Sequence, residues 1–216
     1  MIAASDALAR LKEGNQRFVS NVRDLNAMAN QSRRADLTDK QEPFAIVLGC
    51  SDSRVPAEII FDQGLGDLFV IRVAGNVIAP SLVGSVEFAA QRHGVRLVVV
   101  LGHTQCGAIQ ATVEELEQPT ENRSPNLSSI VSRIRPSVQS LLDTGLIKSR
   151  EELIKHATRA NIRASTSHLC HGSQILEELI AHDALRVVSA EYSLESGVVE
   201  FFDDEMEEGL LPGIEH

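Results

Sequence analysis

Two apolar runs, each closed by a glycine and followed at once by metal-ligating side chains, constrain this chain more than any other feature. The first runs from Phe44 to Arg54 and reads F-A-I-V-L-G-C-S-D-S-R. The second runs from Val95 to Gly107 and reads V-R-L-V-V-V-L-G-H-T-Q-C-G. A short continuous apolar run bounded by glycine reads as a strand buried on both faces, as in a parallel sheet. Loops at the carboxyl ends of parallel strands converge on one crevice. Two such strands therefore bring Cys50, His103 and Cys106 within reach of one ion. A Cys₂His set is a catalytic zinc shell with a fourth position left for water or substrate. Two soft thiolates and an imidazole favour zinc over magnesium or calcium.

The remaining chain supplies the other parts of an α/β domain. Ser5 or Asp6 is placed to cap a first helix, with Leu8, Leu11 and Phe18 along one side and Gly14 weakening it. Residues 21–42 read as a polar loop with one short helix near Arg33 to Leu37. Strands are expected at Phe44–Leu48, Leu68–Val73, Val95–Leu101, Leu185–Ser189 and Val198–Phe202, the last antiparallel at an edge. Helices are expected at Pro56–Phe61, from Pro80 or Ser81 to Gly94, from Gly107 to about Leu116, over Leu127–Leu142 and over Glu151–Ala184. Breaks are expected near Pro136 and Gly172. Gln118 to Asn126 reads as the segment most prone to disorder, and Asp203 to Glu208 as a solvated acidic tail. The fold class is α/β, a mostly parallel central β-sheet flanked by helices. It is expected as a single domain over 1–216, with an N-terminal arm of about 1–40 and a zinc-binding core of about 41–216.

Composition narrows the function classes. The chain has 216 residues, enough for a sizeable core, and a formal net charge of −10, which argues against a nucleic-acid partner. No apolar run approaches the ~20 residues that span a bilayer, so no membrane association is expected. The start, Met1 to Asp6, has neither a basic nor an apolar signal region. Three cysteines are an odd count, and two are claimed by the metal. A disulfide framework is not expected, and a cytoplasmic location is.

The motif C-S-D-S-R after one strand and G-H-x-x-C-G after a later one resembles the β-class carbonic anhydrases. The stretches Phe61–Val70 and Arg72–Asn76 are also similar to that family. The close resemblance covers about residues 8–20 and 40–110 and is looser from Asn161 onward. It implies one Zn²⁺ per chain on Cys50, His103 and Cys106, and reversible hydration of carbon dioxide to bicarbonate and a proton by attack of zinc-bound hydroxide. Asp52, as a carboxylate, only accepts hydrogen bonds and would take one from that hydroxide. Arg54 would hold Asp52 with a two-pronged hydrogen bond and keep it ionised. Some family members close the site by coordinating this aspartate to the metal, and the presence of both residues implies the same option here at lower pH.

The resemblance also assigns the surroundings. Gln41 matches an active-site glutamine, yet nine extended residues separate it from Cys50 by roughly 30 Å. It is expected to serve a neighbouring subunit's site. Phe69, Ala74 and Phe88 are implied as substrate-pocket residues, with Phe88 where plant-type members often have tyrosine and Ala74 where they have a larger aliphatic. The N-terminal helix is implied to extend onto a partner subunit in a dimer or tetramer. One subclass has a regulatory bicarbonate site built from a tryptophan, an arginine and a tyrosine. Arg72 falls at its arginine, but the chain has no tryptophan, so that regulation is not expected.

Two other readings stand beside this one. One is hydrolysis of carbon disulfide or carbonyl sulfide at the same zinc site, which residue chemistry does not separate from hydration. The other is a non-catalytic zinc or redox module using Cys50 and Cys106 as a thiol pair. His168, Cys170 and His171 read as structural or surface residues with no matching ligand pair. His93, His156 and His182 read as helix-surface residues.

Overall fold

A computed structural model describes residues 2–22, 31–119, 124–147 and 149–202. The acidic tail and part of the loop expected at 118–126 lie outside these residues. Five strands form one sheet: β1 (Ala45–Gly49), β2 (Leu68–Arg72), β3 (Leu97–His103), β4 (Arg186–Tyr192) and β5 (Val199–Phe201). Their order is β2-β1-β3-β4-β5. The first four are parallel and β5 is antiparallel at the edge. The chain leaves β1 for β2 on one side and returns past it to β3 on the other. The switch point of the sheet therefore lies between the carboxyl ends of β1 and β3, where α/β sheets bind ligands.

The apolar runs form strands because they are covered on both faces. Every residue of β1 and β3 is buried. On one face, Val47, Val99, Leu101, Val188 and Ala190 pack with residues of helix α1 (Ala4–Val19) and of the short helix α3 (Ala57–Ile60). On the other, Ile46, Leu48, Val98 and Val100 meet helices α4 (Pro80–His93), α7 (Arg150–His171) and α8 (Gln174–Ala181). A third cluster sits beside the two cysteines and is made by α5 (Gly107–Glu117), α6 (Pro125–Thr144) and α7. A short helix α2 (Gln31–Asp36) lies in the polar connection before β1. Among the described residues no helix is long and apolar enough to cross a membrane.

Helix ends follow local chemistry. Pro80 opens α4, and Gly94 closes it in the left-handed conformation at φ 62°. Ser173 caps α8 by accepting the Leu176 N–H after the break at Gly172. At Pro136 no break occurs, and α6 runs through it. An interior proline costs about 3 kcal/mol. Burial of Val131, Ile134 and Val138 on the same helix offsets this at about 1.5–3 kcal/mol for each fully buried side chain.

Helix α1 starts at Ala4 with no side-chain cap, not at the expected Ser5 or Asp6 cap. Its apolar stripe, implied to lie on a neighbouring subunit, is buried on its own chain. Ala7 and Leu11 are fully buried among Ile60, Phe61 and the sheet. Asn15 ties the helix down by donating to the carbonyls of Ile60 and Gly197 and accepting the Val199 N–H. Gly14 makes this contact possible, because a β-carbon there would lie 1.9 Å from the Phe61 carbonyl oxygen.

Candidate metal centre

Strand β1 ends at Gly49 and strand β3 at His103, so Cys50 and His103 emerge side by side at the switch point. Cys106 follows after a turn in which Gln105 adopts φ 55°, and it stands at the N-cap of α5. The ligand atoms of Cys50, His103 and Cys106 all lie within 4.8 Å of one another, and all three residues are buried.

The donor set fits a metal ion. The sulfurs of Cys50 and Cys106 are 4.0 Å apart, far beyond the ~2.05 Å of a disulfide. Two thiolates ~2.3 Å from a tetrahedral ion would stand roughly 3.8 Å apart. His103 Nδ1 lies 2.9 Å from its acceptor, the Thr104 carbonyl, so the proton sits on Nδ1. Its Nε2 is buried without a hydrogen-bond partner among the described residues, leaving a lone pair aimed into the cluster, as a neutral imidazole ligand requires. The two sulfurs stand within hydrogen-bond distance of each other. The hydrogen bond between them lowers the Cys50 thiol and, with burial, raises that of Cys106. The Gly75 amide also points at the Cys50 sulfur, at 3.4 Å.

Asp52 borders this cluster, with Oδ2 3.8 Å from His103 Nε2. Arg54 grips it twice, Nε to Oδ1 at 2.9 Å and Nη2 to Oδ2 at 2.7 Å, and adds its backbone N–H to Oδ1 at 3.0 Å. These hydrogen bonds from Arg54 hold the Asp52 carboxyl well below the usual carboxylate range. The Asp52–Arg54 pair is therefore intact.

The other expected site residues divide. Ala74 begins the short 3₁₀ turn Ala74–Asn76 that delivers the Gly75 amide to Cys50. Phe69 pairs with Ile46, four residues before Cys50, about 13 Å down the strand. Phe88 stacks near Phe69 at 6.3 Å and is 52% exposed. Gln41 is exposed beyond the amino end of β1, lining a concavity of about 510 Å³ with Arg92 and His93. Within one chain, Gln41, Phe69 and Phe88 do not join the metal cluster. His93, expected on a helix surface, is half-buried against Phe69 and Phe88. His168 and His171 are exposed, and Cys170 is half-buried. Sequence reasoning missed the backbone amide of Gly75, and it named Arg72 only at the arginine of a regulatory site, whereas its guanidinium donates to the carbonyls of Cys50 and Asp52. The run R-V-A-G-N held the only signal for either.

Comparison with known proteins places this geometry. The carbonic anhydrase family model matches residues 45–199. A carbonic anhydrase of Mycolicibacterium smegmatis is 40% identical over 190 residues, covering 88% of this chain and 89% of that one. Carbonic anhydrase 2 of Mycobacterium tuberculosis is 40% identical over 187 residues, 87% of each chain. The solved β-carbonic anhydrase CafA of Aspergillus fumigatus superimposes with a TM-score of 0.71 at 26% identity, over 92% of this chain and 90% of that one. With its metal-type triad at the switch point of a parallel sheet, the chain belongs to the β-class carbonic anhydrase family.

Proposed function

We propose that this protein is a zinc carbonic anhydrase that reversibly hydrates carbon dioxide to bicarbonate and a proton. The observation that carries the reading is the convergence of two sulfurs and an unpartnered imidazole nitrogen beside an arginine-held carboxylate. Cys50, His103 and Cys106 would hold one Zn²⁺ per chain. Bound there, zinc supplies a Lewis acid that lowers the pKa of water and so provides a nucleophile at neutral pH.

The chain's own residues do the rest. Asp52 accepts the O–H of the attacking water and turns its lone pair toward the carbon of carbon dioxide. Arg54 holds Asp52 ionised and in place, so the carboxylate accepts this hydrogen bond and does not keep a proton. The released proton passes to solvent. Cys50 and Cys106, as thiolates, balance the charge of the ion within a buried site.

The reading extends to assembly and location. Strand β2 is an edge strand with Leu68, Phe69, Val70 and Ile71 only half-buried, beside the exposed Phe88. An apolar edge of this kind supports association of copies of the chain, as a dimer or tetramer. Gln41, Phe69 and Phe88, too far from their own Cys50, would complete a neighbour's pocket. Cysteines that form no disulfide among the described residues fit the reducing cytoplasm.

The test is metal analysis joined to stopped-flow carbon dioxide hydration. One zinc per chain is expected, with hydration abolished on chelation and in Cys106→Ser. A folded protein that binds no zinc would sink the reading. Turnover of carbon disulfide without hydration of carbon dioxide would move it to the sulfur substrate.

A further inference from the structure

We propose that Arg72 is a positioning residue that locks the loop carrying Cys50 and Asp52 to the edge of the sheet. The proposal deepens the zinc reading above and rests on it. The backbone ladder between β1 and β2 continues just past the strands, with Val73 N–H on the Gly49 carbonyl at 3.1 Å and Ser51 N–H on the Val73 carbonyl at 3.2 Å. There it stops, because the β1 chain turns away to bring Asp52 and Arg54 over the site. Arg72, the last residue of β2, takes over. Its Nε donates to the Cys50 carbonyl at 2.9 Å and its Nη2 to the Asp52 carbonyl at 2.5 Å.

One planar guanidinium thus fixes two peptide groups two residues apart. The first carries a metal ligand and the second the orienting carboxylate. The fork geometry sets the distance between the two carbonyls, which a single-point donor does not do. The Asp52 carbonyl also accepts the Val55 N–H at 3.0 Å, a bond within the loop that ties it to nothing else. Among the described residues no carboxylate pairs with Arg72, so its charge-assisted bonds go to these carbonyls. Arg54 and Arg72 divide the work: Arg54 orients the Asp52 side chain, and Arg72 orients the backbone on which it rides.

The consequence concerns how firmly the ion is held and how steadily Asp52 is presented. Losing an outer partner of a metal ligand typically costs 10–100-fold in affinity or activity. In zinc-loaded Arg72→Gln, release of zinc to a chelator is expected to quicken at least 10-fold, and kcat/KM for carbon dioxide to fall by a similar factor. Arg72→Lys reaches one carbonyl at a time and is expected to recover only part of either loss. The thiolate-to-metal absorption of the cobalt-substituted protein should shift and broaden in Arg72→Gln. The melting temperature of the metal-free protein should stay near that of the parent, because Arg72 is exposed. Unchanged zinc release and an unchanged cobalt spectrum in Arg72→Gln would overturn the proposal, as would full rescue by lysine. A metal-free melting temperature that drops as far as the loaded one, with release unchanged, would show a purely structural role and overturn it too. The parent protein run alongside separates the two readings. If it binds zinc and hydrates carbon dioxide while the variants behave as it does, only the role of Arg72 fails. If it binds no zinc, the zinc reading fails first and this one with it.

Discussion

Asp52 and Arg54 face each other through two parallel hydrogen bonds, Nε–Oδ1 at 2.9 Å and Nη2–Oδ2 at 2.7 Å, within a loop that starts at a metal-type ligand. The pair needs only one intervening residue, because the Arg54 N–H also closes on Oδ1. Arg54 is half-exposed, so its worth lies in placing the carboxylate more than in stability. Arg54→Ala should therefore leave the melting temperature nearly unchanged while cutting carbon dioxide hydration 10–100-fold, the usual loss on removing a partner of this kind. Asp52→Asn keeps the shape but offers an amide that also donates, and should lose as much. Wild-type kcat/KM in either variant, at equal zinc content, would remove the pair from the mechanism.

Gly14 carries the seat of α1. Alanine in the middle of a helix is favoured over glycine by about 1 kcal/mol. Here the added carbon would meet the Phe61 carbonyl oxygen at 1.9 Å and its carbon at 2.8 Å. Those are backbone atoms and cannot rotate away, so α1 itself must lift, and overpacking of this kind costs about 1–3 kcal/mol. The clash wins. Gly14→Ala should lower stability to urea, whereas Ala9→Gly on the exposed face should lower it only by the propensity difference. An unchanged or raised midpoint for Gly14→Ala would show that the helix is not seated on Phe61.

What could be read from the sequence follows from what is local. The cluster of Cys50, His103 and Cys106 was legible because each lies within a few residues of a strand end, and parallel topology brings strand ends together. Strand boundaries moved where the ladder decides them. β3 ends at His103, not Leu101, because His103 pairs with Tyr192 across the sheet. The break expected at Pro136 is absent, since the burial of α6 outweighs one lost hydrogen bond. The packing of α1 was hidden because Phe61 and Gly197 are far from Gly14 and Asn15 in sequence. Gln41, Phe69 and Phe88 were named from resemblance, and one chain does not bring them to its own metal cluster.

Glu191 sets a pH dependence away from the metal. It is buried, its Oε1 has no hydrogen-bond partner among the described residues, and Arg159 Nε stands 3.9 Å from Oε2. Burial pushes its carboxyl above the usual 4.5. Arg159 and Lys155 pull the other way, and Glu200 adds to the rise. A carboxyl raised in the folded state contributes stability that is complete below its unfolded value and is lost as pH rises through its folded value. Above its unfolded value the buried Glu191 therefore costs stability. Glu191→Gln should melt higher than the parent at pH 7.5, and the gap should close as pH falls toward 4. Arg159 keeps Glu200 as its partner in the variant. A variant that melts lower at pH 7.5, or a gap that does not depend on pH, would show that Arg159 compensates the charge fully.

Phe88 is 52% exposed and leans on Phe69, whose strand has no neighbour on its outer side among the described residues. A charge placed at Phe88 disturbs little inside the chain, since exposed substitutions usually shift stability by less than about 0.5 kcal/mol. Buried between two copies, the same charge would have to be desolvated without a partner, which is costly. Phe88→Arg should therefore sediment as a monomer at concentrations where the parent associates. If Gln41, Phe69 and Phe88 serve a neighbour's metal centre, that monomer should retain its zinc yet lose at least 10-fold in carbon dioxide hydration. Two outcomes sink the idea: a variant that still associates, which would place the interface elsewhere, or a monomer with full activity, which would mean each chain completes its own site.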